Sequence, residues 1–505
     1  MDTHLVEPDN AENRVLLENV HPSDWVNPEP RGRYNLVVIG AGTAGLVCAA
    51  GAAGLGARVA LVERQLMGGD CLNVGCVPSK ALIRSARAAF DARSSDGFAA
   101  PGGEGERADF AAAMQRLRGL RAQLSAHDSA RRFRDELGVD VYLGQAFFTG
   151  SNTVQVAGTT LEFSRAALCT GARAAAPDIP GIEAVGYLTN ETVFSLGELP
   201  RRLAVIGAGP LGCELAQAFA RLGSRVTLLQ HAPQLLPRED PDAAALVADS
   251  LRRDGIALEL GVRIIEAKQQ GSEKLLRLQG PSGIGELACD AILVGVGRAP
   301  NLEGLALEAA GIRYDKQGVL VSDTLQTSNP RVYAAGDICS EYKFTHTADA
   351  QARIVIANAL FGGRQRSSRL TIPWCTYTDP EIAHVGLYEK EAREKGLEVA
   401  TLTVPLSEVD RAVLDGEEAG FARVHLKKGT DTILGATVVA RHAGEMIGEL
   451  ALAITAGLGL AAIGKTIHPY PTQAEAVRKL ADAYQRTRLT PLVKRLLSAW
   501  LAWQR

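Results

Sequence analysis

The chain has 505 residues, enough for about three domains of roughly 150 residues each, which excludes an isolated peptide, a single small module or a disordered tail. Its 46% hydrophobic and 22% charged residues are ordinary for a soluble globular protein; 54 Lys+Arg against 57 Asp+Glu leave a net charge of −3, which gives no electrostatic reason to bind nucleic acid. The first 33 residues lack the basic start and apolar run of a secretory signal, and no uncharged apolar stretch reaches the roughly 18 residues of a membrane span, so the expected location is cytoplasmic.

Residues 1–33 form an acidic, proline-containing arm. Residues 36–64 (LVVIGAGTAGLVCAAGAAGLGARVALVER) then read as an apolar strand, a GxGxxG turn of Gly40, Gly42 and Gly45, an Ala/Leu-rich helix and a second strand. At a constant offset of 167, without a gap, residues 203–231 repeat the pattern with Gly207, Gly209 and Gly212. Such glycines let the backbone approach a pyrophosphate, whose charge rests on the free N–H groups of a helix N-terminus. Two copies imply two dinucleotide sites, in keeping with a glycine count of 52, above the usual share of about 7%. The copies differ where the second strand ends. Glu63 suits the 2′-OH of an unphosphorylated adenosine ribose such as that of FAD, whereas Gln230 replaces the acid, with His231 and Arg238 close by in sequence to accept a 2′-phosphate. That difference favours NADPH over NADH.

After the first copy stands GGDCLNVGCVPSKAL, with Cys71 and Cys76 five positions apart. On a regular helix their side chains would diverge by about 140°. They can bond only if the helix entry is distorted, which Gly75 permits and Pro78 helps to fix. The pair reads as redox thiols at a helix N-terminus, where the dipole favours thiolate; two unrelated core cysteines, or part of a metal site, are the duller alternatives. The other six cysteines (48, 169, 213, 289, 339 and 375) lie singly and read as small core residues, although Cys375 could add a thiol.

Further along, 94–107 reads as a loop and 108–136 as one long helix. An apolar strand within 286–301 leads to GVGRAPN, and 332–337 is a short strand ending in Gly336–Asp337. From about 370 a separate α+β domain begins, with strands 420–426 and 432–440 and helices 443–457 and 472–487. The tail carries a helix after Thr490–Pro491 whose apolar residues recur at helical spacing, beside Arg486, Arg488, Lys494, Arg495 and Arg505. Residues 488–505 either lie on an anionic membrane surface or pack on the protein's own dimer.

From about Tyr34 to about Tyr484 the chain resembles the class I pyridine nucleotide–disulfide oxidoreductases, the family of dihydrolipoamide dehydrogenase, glutathione reductase and mercuric reductase, and GGDCLNVGCVPSK is the specific signature. The resemblance implies an α/β fold with two Rossmann-like domains and a C-terminal α+β domain that forms a homodimer. The FAD domain would comprise 34–170 and 295–368, the NAD(P) domain 171–294, the dimerisation domain 369–485 and the tail helix 486–505. It implies Cys71 as interchange thiol, Cys76 as the thiolate beneath the flavin, and Lys80 near flavin N5, paired with Glu214. Thr170–Gly171 would mark the crossing between nucleotide domains and Gly297 the return. Thr327, Tyr333, Gly336 and Asp337 would form the second flavin motif, with Asp337 holding the ribityl chain.

One departure bears on mechanism. The family's HPTxxE supplies a proton-donating His held by the Glu, whereas here the segment is His468-Pro469-Tyr470-Pro471-Thr472-Gln473-Ala474-Glu475. Alignment through Pro471, Thr472 and Glu475 places Tyr470 at the His position, with His468 able to substitute only by a local shift. Mercuric reductases also lack this His, and the wording of the chain is nearest that branch, although their terminal vicinal Cys pair and an early CxxC are missing. The expected function is electron transfer from NAD(P)H through FAD to the Cys71–Cys76 pair and on to a disulfide or thiol-bound soft metal, with no resident metal. The alternatives are a diaphorase or quinone reductase with a regulatory dithiol, and a redox-sensing flavoprotein.

Overall fold

The computed structural model describes residues 6–93, 108–281 and 283–505, so the expected loop 94–107 falls outside the described residues. The chain forms two compact units, Met1–Pro233 with Ile256–Leu370 and Gln234–Gly255 with Thr371–Arg505.

The first unit holds both glycine turns, each in its own sheet. In one sheet the strand Tyr34–Ile39 pairs in parallel with Val59–Glu63 and with Thr159–Leu168, and Val332–Ala334 joins along Thr159–Leu168. The second sheet runs Ala257–Leu260, Arg225–Gln230, Arg202–Ile206, Ala291–Val294, all parallel. Its inner strands, Arg225–Gln230 and Arg202–Ile206, are mostly buried, as expected for a parallel sheet covered on both faces. A short antiparallel pair, Ala172–Ala174 with Arg298–Pro300, carries the chain between the two sheets.

The repeat seen in sequence is a repeat in conformation. Gly40 and Gly207 take φ of 100° and 101°, and a Cβ on Gly45 or Gly212 would be driven into the carbonyl oxygen of Gly40 or Gly207. Glycine at the third position is therefore a condition for the helices Thr43–Gly54 and Pro210–Leu222 to lie so close to their strands. Neither helix has a side-chain cap, so the first-turn N–H groups stay available at Gly42 and Gly209.

The second unit is built on an antiparallel sheet in the order Pro373–Thr376, Glu381–Gly386, Ile433–Ala440, Phe421–Lys427, Val399–Pro405. The helices Ala443–Thr455 and Glu475–Arg488 bury Leu450, Val477 and Leu480 in its core. The two strands and two helices expected here are present with ends shifted by a few residues.

Two expectations need revision. The single helix over 108–136 is three pieces, because Ser129 caps a new helix, Ala130–Asp135, after Phe110–Ser125 and a 3-10 turn. The arm contains a helix, Ala11–Val20, capped by Asn10 and sealed against the first unit by Leu16 and Val20. Two glycine substitutions should act with opposite sign. Gly119→Ala, with no atom within 4 Å of the added Cβ, should raise the apparent Tm through about 0.5–1 kcal/mol of helix propensity, whereas Gly45→Ala should lower it; thermal melts of the purified variants decide.

Candidate active site

The signature segment does not form one helix. It forms Gly69–Asn73, a break at Val74–Gly75, and then Cys76–Arg93. A Cβ on Gly75 would sit 2.7 Å from the Asp70 carbonyl oxygen, so glycine is what lets the first helix fold against the second. The break removes the angular mismatch of a continuous helix and leaves two neighbouring thiols that act on each other's proton. The Cys71 thiol, together with Thr345 Oγ1 at 3.4 Å and the Lys80 ammonium, draws the Cys76 thiol down to about 6, while Cys76 and burial push the Cys71 thiol up. Charge on the pair therefore resides on Cys76. Lys80, one turn on, donates to Glu214 Oε2 at 2.8 Å, and Glu214 is buried. This ion pair neutralises a carboxylate that would otherwise oppose the thiolate.

Both cysteines line a cavity of about 510 Å³ that extends to Glu63. At that end the Glu63 carboxylate accepts from Ala41 N at 2.7 Å and Gln65 N at 2.8 Å, which fixes it although burial pushes its pKa up. Gly40, Gly42, Thr170, Gly171, Gly336 and Asp337 line the space between. Thr170 Oγ1 donates to Asn301 O at 3.0 Å and Asn301 Nδ2 returns to Thr170 O at 2.8 Å, locking the crossing. Thr327 and Tyr333 are buried and do not line the cavity. They shape the turn and strand that present Gly336–Asp337, and Gly336 N is held by Gln351 Oε1 at 2.8 Å.

The second glycine motif is laid out alike. Gln230 Oε1 accepts from Ala208 N at 3.4 Å, the bond Glu63 makes at Ala41, and Gly297 follows the strand Ala291–Val294 with φ 129°. His231 is exposed at the end of its strand in the first unit, while the Arg238 guanidinium lies 5.8 Å from the Trp374 ring centre in the second.

Comparison with known proteins agrees with this layout. Residues 34–352 match the family model "Pyridine nucleotide-disulphide oxidoreductase", and 372–481 match its dimerisation domain. The chain belongs to the pyridine nucleotide-disulphide oxidoreductase family. It is 36% identical over 456 residues to a mercuric reductase of Staphylococcus aureus (90% of this chain, 83% of the relative), and 35% identical over 461 residues to a dihydrolipoyl dehydrogenase of Thermus scotoductus (90% and 98%). Among solved structures it is similar to the HOCl-induced flavoprotein disulfide reductase RclA from Escherichia coli, with TM-score 0.79 and 29% identity over 89% of this chain and 99% of that one. The family uses FAD and NAD(P)H, and the dimerisation domain accords with a homodimer. The residues fit FAD: a fixed buried carboxylate for a ribose, free N–H groups at a glycine turn for a pyrophosphate, and polar groups leading to the dithiol.

Several residues of this oxidoreductase carry no motif by which they could be read in advance. Arg298 bridges the two carboxylates of Asp70 and Asp337, reaching Asp337 Oδ2 at 3.1 Å. Burial would weaken its charge, but the two acids outweigh that, so the cation persists beside the cavity. Thr345 opens the helix Thr345–Phe361 beside Cys76. Behind the dithiol, Arg121 donates to the Asn73 carbonyl at 2.7 Å and to Asn13 Oδ1 in the arm helix at 2.8 Å; burial lowers its pKa to about 10. The arm thus reaches the end of the helix that carries Cys71 through one guanidinium.

In the second unit Tyr470 is 69% exposed and donates to Asp410 Oδ2 at 2.8 Å, which raises its pKa. Glu475 is buried and accepts from Arg478 at 3.0 Å. His468 has Nε2 3.0 Å from Glu449 and Nδ1 3.2 Å from the Thr466 carbonyl, so both ring nitrogens are engaged and the local shift that would let it replace Tyr470 is opposed.

Since the lowered pKa is that of Cys76, thiolate should be present above about pH 6 and lost as the pH falls through it. The ultraviolet thiolate absorbance of dithiol-reduced enzyme, less that of Cys76→Ser, should show this midpoint, and Lys80→Met should move it upward. A midpoint near the free thiol value of about 8.5 would contradict the assignment.

Proposed function

We propose that this oxidoreductase spends NADPH on a soft, thiophilic acceptor captured by Cys71, a thiol-bound metal ion such as Hg(II) in preference to an organic disulfide. FAD, bound along the cavity, supplies the passage of an electron pair from nicotinamide to sulfur. The chain's own groups prepare the sulfur side. Cys76 holds the negative charge, Thr345 and Lys80 stabilise it, and Glu214 keeps the ammonium in place. Cys71 keeps its proton until a thiol-bound metal arrives, then passes it to the thiolate that the metal sheds and binds through sulfur.

The observation that carries this preference is the absence of a basic imidazole at the proton-donor position. Cleaving a disulfide expels a thiolate that needs a proton, and a positioned acid contributes about 10²–10⁴-fold to such a step. Tyr470 offers a phenol whose proton is held more firmly by Asp410, and His468 is tied to Glu449. A divalent metal held by Cys71 and Cys76 instead takes the electron pair of the reduced dithiol and leaves as the neutral atom, the two sulfurs joining as a disulfide, so the reduced product needs no proton. Mercuric reductases among the relatives, and a solved structure of RclA described as a Cu(II) complex, support the same acceptor class. For the reductant, Gln230 in place of an acid, followed by His231 and Arg238, supports NADPH.

Anaerobic NADPH oxidation with thiol-bound Hg(II), lipoamide and glutathione disulfide tests this. The kcat/KM for Hg(II) should exceed that for either disulfide by at least about 10²-fold, and Cys71→Ser should lose nearly all of it. A disulfide reduced as fast as Hg(II) would overturn the proposal.

A further inference from the structure

The last helix, Pro491–Trp503, buries none of its residues, although Thr490 caps it through a bond from Val493 N. Leu492, Leu496, Leu497, Trp500, Leu501 and Trp503 are each between 48% and 77% exposed. At about 100° per residue they cover roughly half of the helix circumference, and Lys494, Arg495 and Ser498 share the other half, with Arg505 just beyond the helix end. Lys494 borders Leu501 on one edge of the apolar arc, and Arg495 stands towards the Leu492 edge. With Arg486 and Arg488, five cations fall after Asp482 and no acid follows it.

We infer that this helix docks the protein on an anionic lipid surface, lying in the plane of the bilayer rather than crossing it. Charge chooses the occupant. A second copy of the chain would bring the same cations against their equals, whereas anionic headgroups match cations that flank an apolar face, and long basic side chains can reach outward from such an edge. Trp500 and Trp503, with ring centres 5.2 Å apart, provide the amphipathic aromatic pair that favours the headgroup level. The helix has 13 residues, and among the described residues no helix is long and apolar enough to span.

The test uses the full-length holoenzyme in co-sedimentation with vesicles of phosphatidylcholine alone or mixed with phosphatidylglycerol, at low and at high salt. Wild type should bind the anionic vesicles at least about tenfold better than the neutral ones, and high salt should weaken it. Both Lys494→Glu/Arg495→Glu and Leu496→Ser/Trp500→Ser should lose that binding while retaining wild-type NADPH turnover with a soluble acceptor. Equal sedimentation of wild type and variants would overturn the inference. So would failure to bind anionic vesicles, with an oligomer beyond the dimer that Leu496→Ser/Trp500→Ser dissolves; that result would assign the face to a second copy.

Discussion

The nearness of the Cys71 and Cys76 thiols determines what the cavity can do, and it exists because Gly75 allows two helices to meet where one would have continued. Were the helix unbroken, the thiols would point about 140° apart and neither would affect the other's proton. Brought together, they divide the labour: one sulfur carries charge near neutral pH and the other stays protonated for an incoming acceptor. Thr345, Lys80 and Glu214 support that division from three separate elements, and Arg121 fixes the end of the Cys71 helix from behind through the Asn73 carbonyl. The arm helix matters for the same reason, since Asn13 holds the other side of Arg121.

The duplicated strand–turn–helix was legible from the chain because its requirement is local. A glycine that must pass under a carbonyl, and an acid at the end of the next strand, leave a fixed spacing in sequence, and Gly45, Gly212, Glu63 and Gln230 all lie where that spacing puts them. The cysteine pair was legible for a similar reason. Arg298, Thr345 and Arg121 were not, because each acts across 39 residues or more on partners that only the tertiary fold brings near. Neither the arm helix nor the break at Ser129 stood out, since a ten-residue helix whose apolar residues run consecutively over Val15, Leu16 and Leu17 and a serine within a longer periodic run both give weak patterns.

On the proposed function, one residue type in the C-terminal segment redirects chemistry on the family's frame. A phenol bonded to Asp410 occupies the position at which the family's disulfide reductases carry an imidazole, while the neighbouring His468 is already committed to Glu449. The proposal is that proton delivery is thereby curtailed without disturbing the dithiol, which favours acceptors that take electrons through sulfur without a proton.

Anaerobic titration of the purified enzyme with NADPH tests the central claim, that the two sulfurs form a redox couple in series with the flavin. Wild type should take up two electron pairs per protomer, one for the flavin and one for the dithiol, and Cys71→Ser/Cys76→Ser should take up one. Uptake of a single pair by wild type, equal to that of the double variant, would contradict the account.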